Sequence, residues 1–287
     1  MSAFECVNKQ PELPGLSSTL TAAPFLKWAG GKGQLVERIL RYAPVRFNRY
    51  LEPFLGGGAV FFALHAQDNL LNDSNDELML VYRVVQSYVG ELINALQEMP
   101  YAEEFYYQMR KKNPLEMGEV ERAARFIYLN RTCFNGLYRV NRRNEFNVPF
   151  GRHTNPVICD RNRLLAANAA LAQARIFSED YHSFLSREAQ AGDFIYVDPP
   201  YDPTSKYSDF KRYTASQFYR GDQWRLGQLV TQLVERGCYV LVSNSDTALV
   251  RELYQSFEIN EIPARRNINK DANKRGPIKE LLIVCRS

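Results

Sequence analysis

"RYLEPFLGGGAVFFALHAQDNLLND", residues 49–73, changes its periodicity repeatedly within one short run. "RYLEPF" reads as a strand, "LGGG" as a turn, "AVFFALHA" as a helix and "NLLND" as a second strand. Strand, helix, strand at this spacing predicts parallel neighbours, which need a crossover element between them. Parallel sheets are covered on both faces, so the expected class is α/β. The glycines Gly56 to Gly58 could mark only a tight turn. They also let backbone approach a ligand closely, at a helix N-terminus whose first N–H groups lack partners. Asp73 tips the balance: an acid at the tip of the second strand, 15 positions after the last glycine, is where the ribose hydroxyls of a nucleoside would be held.

Outward from this unit the alternation is interrupted and then resumes. Asn75 or Asp76 can cap a helix through "ELMLVYRVVQSY", and further helical stretches cover 90–99, 103–112 and 119–130. Residues 131–152, "RTCFNGLYRVNRRNEFNVPFGR", read as a loop plus a hairpin turning near Asn141–Asn144. A helix follows at 161–173, then "ARIFSED", "DFIYVDPPY", a helix over 216–236, "CYVLVSNSD", a short helix to Tyr254, and the terminal strands "FEINEIPAR" and "KELLIVC". The division expected is a flexible tail at 1–24, one α/β domain made of 25–75 and 160–287, and an inserted, mainly helical lobe with a β-hairpin at 76–159.

The 287 residues suffice for one large domain, and 45% hydrophobic with 24% charged residues is an ordinary globular composition. A net charge of +4 permits an anionic partner without demanding one. The five cysteines are scattered and never form a CxxC pair, so neither a disulfide framework nor a thiolate metal site is indicated. No apolar run approaches the roughly 20 residues of a membrane span, and no export signal is visible. A cytoplasmic, monomeric protein with no metal and no membrane is the expectation.

"DFIYVDPPYDP", residues 193–203, runs as a buried strand into an acid, two prolines and a tyrosine. Prolines end strands, which would suffice to explain them alone. In open α/β sheets, however, ligands bind outside the carboxyl ends of strands. There Asp198 is an acceptor-only carboxylate, the Pro199 carbonyl, held by the Pro199 and Pro200 rings, is a second fixed acceptor, and Tyr201 supplies a flat face. Two acceptors and a stacking platform fit a planar exocyclic amino group. Upstream, "FLKWAGGKGQL" at 25–35 lacks the spacing and the Ser or Thr of a phosphate loop. Trp28 between Lys27 and Lys32 suits a cofactor with an aromatic base and a carboxylate, although a lone Trp commonly packs in a core.

"FLKWAGGK", "LEPFLGGG", "LND", "YLNR..FNGLYRVN...EFNVPFG" and "DFIYVDPPY", in this order from Phe25 onward, resemble the DNA adenine methyltransferases of the Dam family. The resemblance implies a Rossmann-like methyltransferase sheet and methylation of the adenine N6 amino group in double-stranded DNA, with S-adenosyl-L-methionine as cofactor. It further implies Trp28, Ala29, Gly30, Lys32, Glu52, Pro53, Phe54, Gly56, Gly58, Asp73, Phe177, Ser178 and Asp198 around the cofactor. Asp198, Pro199, Pro200 and Tyr201 would hold a flipped adenine.

An adenine stacked in a duplex must be extruded before it can react. Contacts for that are expected from the Arg- and aromatic-rich 131–152 segment: Arg131, Arg139, Arg142, Arg143 and Arg152 for phosphates or guanine edges, Asn135 for polar readout, Phe134 and Tyr138 for stacking or wedging. By resemblance Lys27, Leu137, Asn147 and Pro149 join the DNA-contacting set and GATC is the target, while His153 and Thr154 depart from the aromatic-basic pair common after "PFGR". The stretch after Tyr201, with Tyr213, is long enough for a lid, and the basic 264–276 run could meet phosphate. Methylation of cytosine N4 or of an RNA base, a non-catalytic DNA-binding relative and a nucleoside-triphosphate hydrolase are the rival readings.

Overall fold

Strand β4 (Phe194–Val197) is buried at every residue, as its unbroken apolar run requires of a strand covered on both faces. Its side chains alternate: Phe194 and Tyr196 join one apolar core, Ile195 and Val197 another. Each such buried side chain is worth roughly 1.5–3 kcal/mol relative to exposure. The computed structural model describes residues 21–141, 143–203, 218–265 and 277–286. Most of the expected tail, Arg142, the expected lid with Tyr213 and most of the basic 264–276 run lie outside the described residues.

With β1 (Tyr50–Glu52), β2 (Asn69–Asn72), β3 (Arg175–Phe177), β5 (Tyr239–Ser245), β6 (Glu258–Arg265) and β7 (Pro277–Cys285), β4 forms a seven-stranded sheet of order β3-β2-β1-β4-β5-β7-β6. The first five strands in that order are parallel, a Rossmann-like arrangement. At one edge the parallel order gives way, since β7 is antiparallel to both β5 and β6. The connection from Arg265 to Pro277 is too short for the crossover that a parallel pair demands. Strand order reverses between β1 and β4, which opens a crevice outside their carboxyl ends.

One face is covered by helices α8 (Tyr181–Glu188), α9 (Arg220–Glu235) and α10 (Ala248–Leu253), through Phe184, Leu226, Leu233 and Val250. The other carries α2 (Ala59–Leu64) and the helical lobe, whose apolar residues continue the core of that face. In the lobe α3 (Asp76–Ser87), α4 (Val89–Gln97), α5 (Glu103–Lys111) and α6 (Glu119–Thr132) follow one another, and α7 (Arg161–Leu171) returns to α3. Asn75 is the cap of α3, its side chain accepting from the Leu78 N–H. Two helices went unread in the sequence, α1 (Val36–Leu40) and α8. The signal for α8 was present: Asp180 caps it, and Tyr181, Phe184 and Leu185 have helical spacing.

Candidate active site

The β1–α2 turn is bonded to the neighbouring strand end. The Leu55 N–H donates to the Asn72 carbonyl at 2.9 Å and the Gly56 N–H to Asp73 Oδ2 at 2.9 Å. Asp73 Oδ1 accepts from the Asn75 N–H at 3.0 Å, and the Tyr82 hydroxyl donates to the Gly56 carbonyl at 3.0 Å. Gly56 at φ +49° lies in the left-handed region, and a Cβ there would stand 2.7 Å from Trp28 Cδ1. Behind that indole lies Tyr138, stacked at 5.4 Å, and Tyr138 stacks in turn on Phe126 of α6 at 4.7 Å. Trp28 therefore joins the turn to the lobe.

Acids converge behind the turn. Glu52, only 2% exposed at the end of β1, accepts from the Tyr50 hydroxyl at 2.7 Å. Burial pushes its carboxyl up to about 8, Tyr50 pulls it back, and the nearby charges of Asp198 and Asp73 add to the rise. Asp73 is pushed up to about 6 by burial, against the two N–H groups it binds. At the end of β3, Ser178 Oγ donates to Asp76 Oδ1 at 2.6 Å, and Phe177 packs on Phe184 at 5.1 Å. Phe54 meets Tyr181 at 5.1 Å and Phe218 at 6.0 Å, an apolar wall; Pro53 is buried beside it.

Asp198 follows β4 directly, across the strand-order reversal from Glu52. Its carboxylate, 19% exposed, lies 2.8 Å from Lys32 Nζ. Burial raises its pKa while Lys32 holds it down. Lys32 is brought there by the Trp28–Gly31 turn, in which Ala29 is followed by Gly30 at φ +80°. Lys32 Nζ also donates to the Gly30 carbonyl at 2.9 Å and stands 4.7 Å from the centre of the Tyr201 ring.

Three side chains that sequence reasoning missed hold the strand-end motif in place. Gln223 of α9 donates to the Pro200 carbonyl at 2.9 Å and accepts from Asn244 Nδ2 at 3.0 Å. Asn244 Oδ1 accepts from the Asp202 N–H at 3.3 Å, while the Tyr201 hydroxyl donates to Glu280 Oε2 at 2.8 Å. Asn244 had a signal, since "SNS" ends an otherwise apolar strand at the ligand side of the sheet. Gln223 and Glu280 had none. Beside the motif a cleft of about 460 Å³ opens between Asp202, Pro203, Arg220, Asp246 and Thr247.

In the lobe, Asn130 of α6 clasps the backbone of Lys27: its Oδ1 accepts from the Lys27 N–H at 2.9 Å, and its Nδ2 donates to the Lys27 carbonyl at 2.7 Å. Residues 132–151 fold back antiparallel through the pairs Cys133–Phe150 and Val140–Phe146, with the turn closed from Asn141 to Glu145. Phe134 is 52% exposed, next to Asn135 in the left-handed region. Arg139, Pro149, Arg152 and Lys27 are exposed, and Leu137 and Asn147 half-buried. Arg139 Nε donates to Asn147 Oδ1 at 2.7 Å across the hairpin. Arg131 is turned inward, bonded to the Phe25 carbonyl at 2.6 Å, and burial lowers its pKa. Tyr138, read as a residue for stacking or wedging in DNA, is corrected: it is 8% exposed, because its ring packs against both Trp28 and Phe126.

Residues 28–268 match the D12 class N6 adenine-specific DNA methyltransferases. The chain belongs to this family. The methyltransferase is 41% identical over 269 residues to the type II methyltransferase M1.LlaDCHI of Lactococcus lactis subsp. cremoris, covering 91% of this chain and 94% of that one. It is 40% identical to the type II methyltransferase M.MjaIII of Methanocaldococcus jannaschii, with coverage of 91% and 98%. To the DNA adenine methylase of Escherichia coli strain K12 it is 37% identical, with coverage of 91% and 94%. As an adenine-specific DNA methyltransferase it presents the acids and the glycine turn of β1 and β2 next to the strand-end motif of β4. Its exposed Phe134, Asn135 and Arg139 lie on the lobe that packs against Trp28 and Lys27. Among the described residues no three His, Cys, Asp or Glu side chains converge as a metal site, and no helix is long and apolar enough to cross a membrane.

Proposed function

We propose that the enzyme transfers a methyl group from S-adenosyl-L-methionine to the N6 amino group of an adenine flipped out of duplex DNA, within GATC. The observation that carries this reading is the position of Asp198: it follows β4, whose parallel neighbour β1 leads into the β1–α2 turn, so an acceptor for an amino group adjoins a nucleoside-type turn. The donor set suits the cofactor. Asp73 keeps a second lone pair on each oxygen for ribose hydroxyls, and the Gly56 turn admits close approach. When bound, the cofactor supplies a methyl on a sulfonium, an electrophile that needs only an aligned lone pair.

Asp198 and the Pro199 carbonyl each accept one hydrogen of the adenine amine, drawing its lone pair out of ring conjugation. Tyr201 stacks on the base and fixes its plane. Asp198 need not be a strong base, because the methylated amine is acidic enough to shed its proton to water. Residues 25–75 with 160–287 carry this chemistry; residues 76–159 read the DNA. Phe134 fills the gap left in the duplex, Asn135 meets the unpaired base, and Arg139, Arg152 and Lys27 contact base edges and phosphates.

Asp198→Ala tests the assignment: methylation of duplex DNA is lost while duplex binding is retained, and substantial residual activity rejects it. Digestion of DNA from expressing cells with endonucleases that distinguish methylated from unmethylated GATC tests the target. Protection at other sequences only would replace GATC.

A further inference from the structure

We propose that Glu280 is a positioning residue for methyl transfer: it fixes the Tyr201 ring, against which the target base is to stack, from a strand on the far side of the motif. The inference rests on Tyr201 acting as the stacking platform. Tyr201 stands past the end of β4, in a stretch of irregular backbone, and its two side-chain torsions would otherwise leave the ring free to turn. Its hydroxyl donates to Glu280 Oε2 at 2.8 Å.

Glu280 is rigidly placed. It sits in β7, paired with Ser245 of β5 on one side and Ile262 of β6 on the other. Its neighbour Lys279 is exposed and bound to Glu261 at 2.7 Å, so successive side chains leave the strand in opposite directions. The antiparallel insertion of β7 is what brings Glu280 to the carboxyl end of β5, level with the strand-end motif. Lys32 Nζ stands 4.7 Å from the Tyr201 centroid, so hydroxyl and ring are both engaged. Burial keeps the phenol protonated, hence a donor. A phenol bonded to a carboxylate is also among the stronger hydrogen bonds.

The test uses the full-length enzyme and a duplex with one target adenine. Single-turnover methylation rate and S-adenosyl-L-methionine affinity are measured for Glu280→Ala, Glu280→Gln, Tyr201→Phe and the double variant Glu280→Ala with Tyr201→Phe. Glu280→Ala and Tyr201→Phe each slow methyl transfer about tenfold or more with cofactor affinity retained, as expected for losing one charge-assisted hydrogen bond. The double variant is no slower than the slower single one, since the Tyr201–Glu280 bond is already lost in each, and Glu280→Gln, which keeps an acceptor, recovers most of the rate. Parental rates in Glu280→Ala, or losses that multiply in the double variant, overturn the proposal. Should Glu280→Ala not fold, a parental rate in Tyr201→Phe overturns it alone. An active Asp198→Ala enzyme would sink the reading of the site itself; an inactive one beside an unaffected Glu280→Ala sinks only this inference.

Discussion

Lys32 Nζ and Asp198 Oδ1 are 2.8 Å apart, an ion pair that joins the Trp28–Gly31 turn to the end of β4. Burial raises the Asp198 pKa above its ordinary value of 3.8, and Lys32 opposes that rise. In the proposed role of amine acceptor Asp198 has to be ionised, so activity is expected to fall as pH drops through its pKa. Lys32→Met removes the opposing charge and moves the acid limb of the kcat/KM–pH profile to higher pH. An unmoved limb would show that the pair does not set the carboxylate's ionisation.

Glu52 links stability to pH. Its carboxyl is raised from 4.5 to about 8 in the folded chain. A carboxyl with a raised folded pKa contributes stability that is fully present below about 4.5 and lost as pH climbs toward about 8. Glu52→Gln stays neutral throughout and keeps an acceptor for the Tyr50 hydroxyl. Its Tm should match the parent near pH 4.5 and exceed it at pH 8 by about 2–4 °C for each kcal/mol recovered. Thermal melts across that range decide it; equal Tm values at both ends reject a buried ionising Glu52.

Gly56→Ala combines two penalties. A side chain in the left-handed region costs roughly 1–2 kcal/mol. The new Cβ would also stand 2.7 Å from Trp28 Cδ1, and Tyr138 stacks on that indole. We expect a Tm lower by several degrees and S-adenosyl-L-methionine bound at least about tenfold more weakly by titration calorimetry. Parental affinity would show that the turn does not approach the cofactor.

Phe134 is 52% exposed, at the start of the segment that folds back after α6. Phe134→Ala should change stability by no more than about 0.5 kcal/mol, as exposed substitutions do. Base extrusion, followed by 2-aminopurine fluorescence at the target position, should weaken, and kcat/KM on duplex DNA should fall about tenfold. An unchanged kcat/KM would remove Phe134 from the wedge role.

Asn244→Ala would strand three partners, the Asp202 and Ser245 N–H groups and Gln223, beneath the strand-end motif. A loss of about 1–3 kcal/mol in denaturant unfolding is expected. Methylation should fall further than cofactor binding, because Gln223 also holds the Pro200 carbonyl. Parental stability would mean that the network carries no weight.

By itself the sequence determined the local units: the strand and helix around the glycine turn, the cap at Asn75, the hairpin turn, and the strand that stops at Asp198. These follow from side-chain period, glycine conformation and proline geometry, which act within a few residues. Tertiary structure alone decided which distant side chains meet: Lys32 with Asp198, Trp28 with Gly56 and Tyr138, Gln223 and Asn244 beneath Pro200, and Glu280 with Tyr201. It also turned Tyr138 inward and set β7 antiparallel between β5 and β6. The reason is that sheet order and register come from long-range packing and connection length, and no short stretch of sequence carries either.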